Sequence, residues 1–222
     1  FDFEYGEDFG DVETLDTQVN CIIGYTPVVP SDWQDCSVLV LANMAPSLQL
    51  SMLEQVDESA LVLADSMEKW IVEELDGVKQ VMSRTDVLVI NETEAESISG
   101  HADVNKAAEV LVEMIKGDLV IIKLGAQGAM AFHGSEVIHV PAVPDCVPAD
   151  PTGCGDSFIG TLAAHMAINI AAERAPEHGL RESMVDATVA ASLALEGFSI
   201  QAIEAAGQVE YSRRAAAVDS VV

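Results

Sequence analysis

The chain has 222 residues, half of them hydrophobic, which is enough to bury a sizeable core in one large α/β domain or in a domain plus a small appendage. Its 37 acidic and 10 basic residues give a formal net charge of −27, which argues against nucleic acids and anionic membranes as partners. No apolar run reaches the roughly 18–20 residues of a membrane-spanning helix, and no signal-peptide pattern is visible, so we expect a cytoplasmic protein.

The acidic excess has two interpretations, adaptation to high salt and an ordinary acidic surface. The cysteines form no C-x-x-C pair and have no ligand-like spacing to the histidines, which predicts reduced thiols and no zinc site. The cysteines stand at positions 21, 36, 146 and 154.

The first 26 residues alternate between polar and apolar positions, in "FDFEY" and again in "TLDTQVNCIIG". In the second stretch Asp16, Gln18 and Asn20 share the polar face. The alternation predicts strands of a small sheet that is half exposed or covers another surface. Prolines in residues 27–36 predict a hinge or linker, so we divide the chain into segments 1–36 and 37–222.

From residue 37 onwards, continuous apolar runs alternate with amphipathic stretches, which predicts a mostly parallel sheet with helices on both faces. The predicted strands are 37–43, 60–65, 86–91 and 118–124. The predicted helices are 47–56, which follows Pro46, and 70–81, 92–99 and 104–116. The stretches "AMAFHG" and "EVIHVPA" predict an antiparallel edge hairpin that carries His133 and His139. Helices are predicted at 155–172, 182–196 and 200–206.

The stretch "PADPTGCGDSFIG" (148–160) combines a glycine-rich turn with the start of an apolar helix. Gly153 and Gly155 let the backbone approach a ligand, and the N–H groups of a helix start favour an anion such as phosphate. Asp156 would repel that anion unless it has a chemical task, and accepting the proton of an attacking hydroxyl is such a task. The alternative is a capping aspartate on an ordinary turn.

Two further loops follow predicted strands at their carboxyl ends, where open α/β sheets bind ligands. In "NETE", Asn91 and Glu94 either hold Mg²⁺, directly or through water, or merely cap the next helix and complement its dipole. In "KLGAQGA" (123–129), the glycines form either a simple turn or a close approach for a nucleotide. The chain has no Walker A loop, and a dinucleotide fingerprint would need glycine at Phe158.

Together these motifs resemble the ribokinase-like (PfkB) carbohydrate kinases. "DPTGCGDSF" resembles the family signature D-T-T-G-A-G-D-x-F, "NETE" is similar to its N-x-x-E motif, and "KLGAQGA" to its T-x-G-x-x-G nucleotide segment. Their order and spacing agree over most of residues 37–206. The resemblance implies a ribokinase-like α/β fold and an ATP-dependent kinase, a transferase that phosphorylates a hydroxyl group of a sugar or nucleoside.

The resemblance also implies roles for the residues of the glycine-rich turn. It makes Asp156 the general base, and it makes the N–H groups of Gly153, Cys154 and Gly155 the anion hole. Cys154 stands where alanine is usual. Its thiol is either one whose pKa the helix N-terminus lowers or a compact apolar filler.

The other two motifs are assigned to ATP and its metal. The resemblance places Asn91 and Glu94 in the Mg²⁺–phosphate region, and Gly125 and Gly128 beside ATP. Lys123 stands in the nucleotide segment where threonine is usual.

Further implied sites lie elsewhere in the chain. Asp150 and Thr152 match positions that bind a monovalent cation such as K⁺ in several members of the family. The first 26 residues resemble part of a strand-built lid over the sugar, which makes Asp16, Gln18 and Asn20 candidate substrate contacts and the lid a candidate homodimer interface.

The family's opening β–α units, which grip the sugar, have no counterpart ahead of this lid, so we expect an N-terminally incomplete chain. Substrate identity resides mostly in those units. A second hypothesis, from a different class, is therefore a nucleotide-binding fragment that no longer catalyses phosphoryl transfer.

Overall fold

The computed structural model describes residues 2–5, 12–16 and 24–220, with the backbone alone for the first two segments. These segments are strands β1 (Asp2–Tyr5) and β2 (Val12–Asp16), which pair in antiparallel fashion. Strand β1 lies within the first alternating stretch, whereas β2 overlaps the second at residues 14–16, and residues 17–23 lie outside the described residues. Asp16 is the last residue of β2, whereas Gln18 and Asn20 lie outside the described residues.

The segment predicted as a hinge contains a short 3-10 turn, Ser31–Trp33, and is hydrogen-bonded to Gln55, which lies just after the first helix, α1 (Pro46–Leu53). Val29 N–H donates to the side-chain oxygen of Gln55 over 2.9 Å, and the Gln55 amide donates to Pro27 O over 2.9 Å. The division of the chain at residue 36 stays a prediction.

A six-stranded sheet forms the centre of the chain, in the order β3-β4-β5-β6-β7-β8. Strands β3 to β6 are parallel, and β7 and β8 form an antiparallel hairpin that carries His133 and His139. The predicted fold class, a mostly parallel sheet flanked by helices, is confirmed. The strands are β3 (Val38–Leu41), β4 (Leu61–Ala64), β5 (Val87–Asn91), β6 (Leu119–Lys123), β7 (Ala129–His133) and β8 (Glu136–Val140).

The central strands are buried on both faces, which explains their continuous apolar sequences. Val89 and Ile121 pack on the side of α6 (Cys154–Ala171) and α7 (Leu180–Leu195), while Leu88 and Ile90 pack on the side of α4 (Glu92–Ser99) and α5 (Val104–Val112). These helices and their neighbours are α1 (Pro46–Leu53), α2 (Glu68–Glu73), α3 (Leu75–Met82), α4 (Glu92–Ser99), α5 (Val104–Val112), α6 (Cys154–Ala171), α7 (Leu180–Leu195), α8 (Gln201–Ala205) and α9 (Gln208–Asp219). None of the helices in the described ranges is long and apolar enough to cross a membrane.

Two helical features differ from the prediction. The helix predicted at 70–81 is two helices, α2 and α3, because Glu74 leaves the helical conformation with φ −138° and ψ 41°. Helix α9 was not predicted, because only a few of its side chains, such as Tyr211 and Ala215, contact the core, and these do not form the broad apolar stripe that indicates an amphipathic helix.

Candidate active site

The loops that carry the sequence motifs meet at the carboxyl edge of the parallel strands. Asn91 ends β5 and Lys123 ends β6, and the two residues are partners in the strand register. Asp65 directly follows β4, the neighbour of β5 on its other side. The sheet order therefore brings three strand ends to one place, as the parallel arrangement predicts.

An ion pair that the sequence motifs did not indicate lies at this edge. Lys123 Nζ is 2.8 Å from Asp65 Oδ2, and the two side chains are only 19% and 10% exposed. Burial alone would lower the pKa of Lys123, but the carboxylates of Asp65 and Glu94, with a smaller contribution from Asp156, raise it above its ordinary value. Lys123 is therefore charged at neutral pH.

The glycine-rich turn lies against this ion pair. A Cβ atom on Gly155 would sit 3.2 Å from Lys123 Nζ and 3.5 Å from Asp65 Oδ2, so the glycine lets the pair approach the start of α6. Gly153 is the N-cap residue of α6 in the left-handed conformation, with φ 86°, and Asp156 lies in the first turn. Of the three predicted anion-hole amides, that of Cys154 donates to Pro151 O over 3.2 Å.

Cys154 does not have the lowered pKa that a reactive thiol requires. Burial first, and then the nearby Asp150 and Cys146, raise the pKa of Cys154 to about 11. The raised pKa argues against a reactive thiol at Cys154 and favours the compact apolar filler. Cys36, Cys146 and Cys154 are all free thiols.

Asn91 and Glu94 form a reciprocal capping box at the start of α4. Glu94 N–H donates to Asn91 Oδ1 over 2.8 Å, and Asn91 N–H donates to Glu94 Oε2 over 2.9 Å. Burial, and then the Asp65 carboxylate, raise the pKa of Glu94 to about 7, against the opposing effect of Lys123. The helix-cap alternative is thus present in the structure, and any metal role must operate together with it.

The nucleotide segment contains a 3-10 turn, Gly125–Gln127, between β6 and β7. Gly125 is left-handed, with φ 56°, and a Cβ there would meet open space. Gly128 is different, because a Cβ there would lie 2.0 Å from Val140 O. Packing against the end of β8 therefore requires Gly128, whereas the space beside Gly125 is free for a ligand.

Asp150 and Thr152, the predicted monovalent-cation residues, lie in the loop before α6. Thr152 N–H donates to Asp150 Oδ1 over 2.9 Å, and the amide of Asp150 donates to Leu195 O over 3.1 Å. Within the described ranges, no three or more His, Cys, Asp and Glu side chains are grouped so as to hold a metal ion.

Asp65 is the site residue that the motifs missed. It ends the apolar stretch "ALVLAD", and the strand-end rule that selected Asn91 also applies to this position. Its role depends on Lys123, which lies 58 residues further along the chain. Only the sheet order shows that the two side chains meet.

Comparison with known proteins supports these motifs. The sequence profile of the pfkB family carbohydrate kinases matches residues 34–205. A cytidine kinase of Thermococcus kodakarensis is 29% identical over 140 residues, 61% of this chain and 50% of that protein, and mouse ribokinase is 38% identical over 97 residues, 40% of this chain and 29% of that protein. The chain thus spans half or less of the length of these relatives.

A solved structure shows the same fold. The structure of Arabidopsis thaliana ribokinase, complexed with ribose and ATP, superposes with a TM-score of 0.61 at 21% identity, over 81% of this chain and 55% of that one.

Proposed function

Because the chain belongs to the pfkB family of carbohydrate kinases, we propose that the complete protein transfers the γ-phosphoryl group of ATP to a hydroxyl group of a sugar or a nucleoside. The observation that carries this proposal is the start of α6. There, Asp156 follows the left-handed Gly153, and its carboxylate acts electrostatically on Lys123. A carboxylate, a helix N-terminus and a buried cation thus lie at one edge of the sheet, which supports the proposal.

Asp156 is the general base of this mechanism. The acceptor hydroxyl must lose its proton as it attacks phosphorus, and a carboxylate within hydrogen-bond reach accepts it. The N–H groups of Gly153, Cys154 and Gly155 form the anion hole, because the first turn of a helix leaves amides without carbonyl partners and carries partial positive charge. The hydrogen bond from the Cys154 amide to Pro151 O must break before that amide can bind the anion.

Lys123 supplies the positive charge for the transferred phosphoryl group. Charge spreads over the equatorial oxygens of that group in flight, and a fixed ammonium in a water-poor site stabilises it. Asp65 holds the ammonium in place by the 2.8 Å ion pair. This role differs from that of the threonine usual at position 123, because a neutral hydroxyl could only donate a hydrogen bond to the phosphoryl group.

The remaining predicted contacts complete the nucleotide site. Asn91 and Glu94 would hold Mg²⁺ directly or through water, consistent with the few protein carboxylates that Mg²⁺ uses beside phosphate oxygens. Gly125 and Gly128 border ATP, Gly125 through its open face.

Two assignments reach beyond the nucleotide site. Asp150 and Thr152 are proposed to bind a monovalent cation such as K⁺. On the acceptor side, Asp16, with Gln18 and Asn20, is proposed to contact the sugar or nucleoside, and the strand pair β1–β2 to act as a lid and a homodimer contact.

Replacing Asp156 by asparagine in the complete protein tests the proposal. The change keeps size and capping capacity but removes the proton acceptor, so kcat should fall by about 10²–10⁴ while ATP affinity changes little. Glu182→Gln is the matched control, because Glu182 also lies in the first turn of a helix that begins at a left-handed glycine, Gly179. Both kcat and a calorimetric ATP titration are measured for each variant.

The outcome separates the two function classes. Turnover that survives Asp156→Asn within a few-fold would make Asp156 a cap and refute the mechanism. Tight ATP binding by the unmodified complete protein without phosphorylation of any sugar or nucleoside would favour the inactive nucleotide-binding module.

A further inference from the structure

Helix α9 carries a buried arginine beyond the end of the family match at residue 205. Arg214 is 6% exposed, whereas the side chain of its neighbour Arg213 is 65% exposed. A buried guanidinium is costly unless its donors are satisfied. The partners of Arg214 therefore show what this helix holds in place.

All of those partners are acceptors on α7, just after α7, or on α9 itself. Arg214 Nη1 donates to Ser192 Oγ over 3.0 Å, Nε donates to Glu210 Oε1 over 2.7 Å, and Nη2 makes a short contact with Glu196 Oε2. The planar guanidinium thus fixes both the last turn of α7 and the carboxylate that follows it.

Glu196 passes this constraint on to the loop that leads into the candidate active site. Its second oxygen, Oε1, accepts a hydrogen bond from Val147 N–H over 2.8 Å. The adjacent Leu195 O accepts from the amides of Ala149 over 2.8 Å and Asp150 over 3.1 Å. The loop 147–150 is therefore attached by its backbone to the end of α7.

The carboxylate is well suited to this bridge. Burial alone would raise the pKa of Glu196, but hydrogen bonds from Arg214 and from Val147 N–H hold it below its ordinary value. Glu196 is ionised at neutral pH, and both of its oxygens are engaged. Charge-assisted hydrogen bonds of this kind are about twice as strong as neutral ones.

We propose that Arg214 is a positioning residue for the anion-binding turn. By fixing Glu196 it holds the loop 147–150, and the two residues that connect this loop to Gly153 then determine where the amides of the turn and Asp156 lie. The consequence for catalysis rests on the function proposed above. The consequence for the loop depends only on the hydrogen bonds described.

Amide hydrogen exchange of residues 1–222, measured without nucleotide, tests the positioning itself. In Arg214→Ala, exchange in 147–156 should become about tenfold faster or more, while the amides of β5 and β6 keep their protection. Arg214→Lys should restore part of the protection, because an ammonium can still reach Glu196. Arg213→Ala is the matched control and should exchange like the unmodified chain, since among the described residues Arg213 forms its ion pair with Glu210 alone, over 2.7 Å.

A second variant keeps the proposal testable if Arg214→Ala fails to fold. Glu196→Gln keeps the size of the side chain and an acceptor for Val147 but removes the charge that Arg214 binds. It should loosen the same stretch, 147–156, to a smaller degree. Exchange in this stretch equal to that of Arg213→Ala, or exchange that rises evenly across β5 and β6, would overturn the proposal.

Turnover in the complete protein measures the catalytic consequence. Arg214→Ala should lower kcat by about tenfold to a hundredfold, with the KM for ATP changed much less, because a small misplacement affects the transition state more than the ground state. A kcat equal to that of Arg213→Ala would overturn this part. If the unmodified protein phosphorylates nothing, the proposed function fails, and the exchange measurement still decides whether Arg214 positions the loop.

Discussion

Replacing Lys123 by methionine removes the cation of the candidate site and keeps most of the side-chain volume. The Nζ–Oδ2 distance to Asp65 is 2.8 Å, and both side chains are largely buried. Coulomb's law with an effective dielectric constant of about 20 gives roughly 6 kcal/mol of attraction at this distance. Desolvation offsets part of it, so removing one partner should lower the free energy of unfolding by about 3–5 kcal/mol.

A double-mutant cycle with Asp65→Asn isolates the contribution of the pair. We expect Lys123→Met and Asp65→Asn each to destabilise the chain, and the double variant to lose less than their sum by about 1–3 kcal/mol. Urea unfolding followed by tryptophan fluorescence measures each free energy, since Trp70 lies near this edge of the sheet. Lys116→Met is the control, because Lys116 is half exposed in its 3.0 Å pair with Asp86 and should cost less than about 1 kcal/mol.

The pH dependence of Lys123→Met provides a second check. The substitution removes the cation that opposes the raised pKa of Glu94, so this carboxyl takes up a proton more readily as the pH falls. The destabilisation should therefore shrink between neutral and mildly acidic pH. A loss no larger than that of Lys116→Met, with no coupling in the cycle, would show that solvent screens the pair and would refute the reasoning.

Two further predictions concern neighbouring residues. Since the pKa of Glu94 is raised from 4.5 to about 7, the folded state binds a proton more tightly than the unfolded state, and this group's contribution to stability is lost as the pH rises from 4.5 to about 7. In urea unfolding, Glu94→Gln should therefore gain in stability relative to the unmodified chain across that interval, and parallel pH curves would contradict this expectation. In the complete protein, Glu94→Gln should also raise the Mg²⁺ concentration needed for activity, and an unchanged Mg²⁺ titration would contradict that expectation. Gly128→Ala should prevent normal folding or destabilise it severely, because its Cβ would lie 2.0 Å from Val140 O, whereas Gly125→Ala should cost only the roughly 1–2 kcal/mol of a left-handed residue in thermal unfolding.

Local sequence determined much of the fold. The helix predicted at 92–99 begins and ends where the structure places α4, because its signals are local: Asn91 caps it through Glu94, and the left-handed Gly100 terminates it. The strand predicted at 86–91 is found as Val87–Asn91, since a strand buried on both faces needs an unbroken apolar run.

Features that depend on distant residues could not be predicted in this way. The pairing of Asp65 with Lys123 requires the order β4-β5-β6, and no local pattern encodes that order. The break between α2 and α3 at Glu74 is not marked by a glycine or proline at that position, so no local signal in the sequence indicates it. Helix α9 has a weak apolar pattern, and two of the three acceptors that satisfy its buried Arg214 lie on α7 or just after it, distant from Arg214 in the sequence.

The acidity of the site explains why a lysine is useful at position 123. A kinase of the proposed type needs Asp156 as a base, and the sheet order places the carboxyl groups of Asp65 and Glu94 close by. A hydroxyl at position 123 would leave these acids without a compensating side-chain charge, and their carboxylates would repel an incoming triphosphate. Lys123 holds one charge against them, and the raised pKa of Glu94 lets that group carry a proton near neutral pH. If Mg²⁺ binds with ATP as proposed, Asn91 and Glu94 would hold it, and Glu94 would release its proton to solvent; the metal and Lys123 would then share the neutralisation of the phosphates.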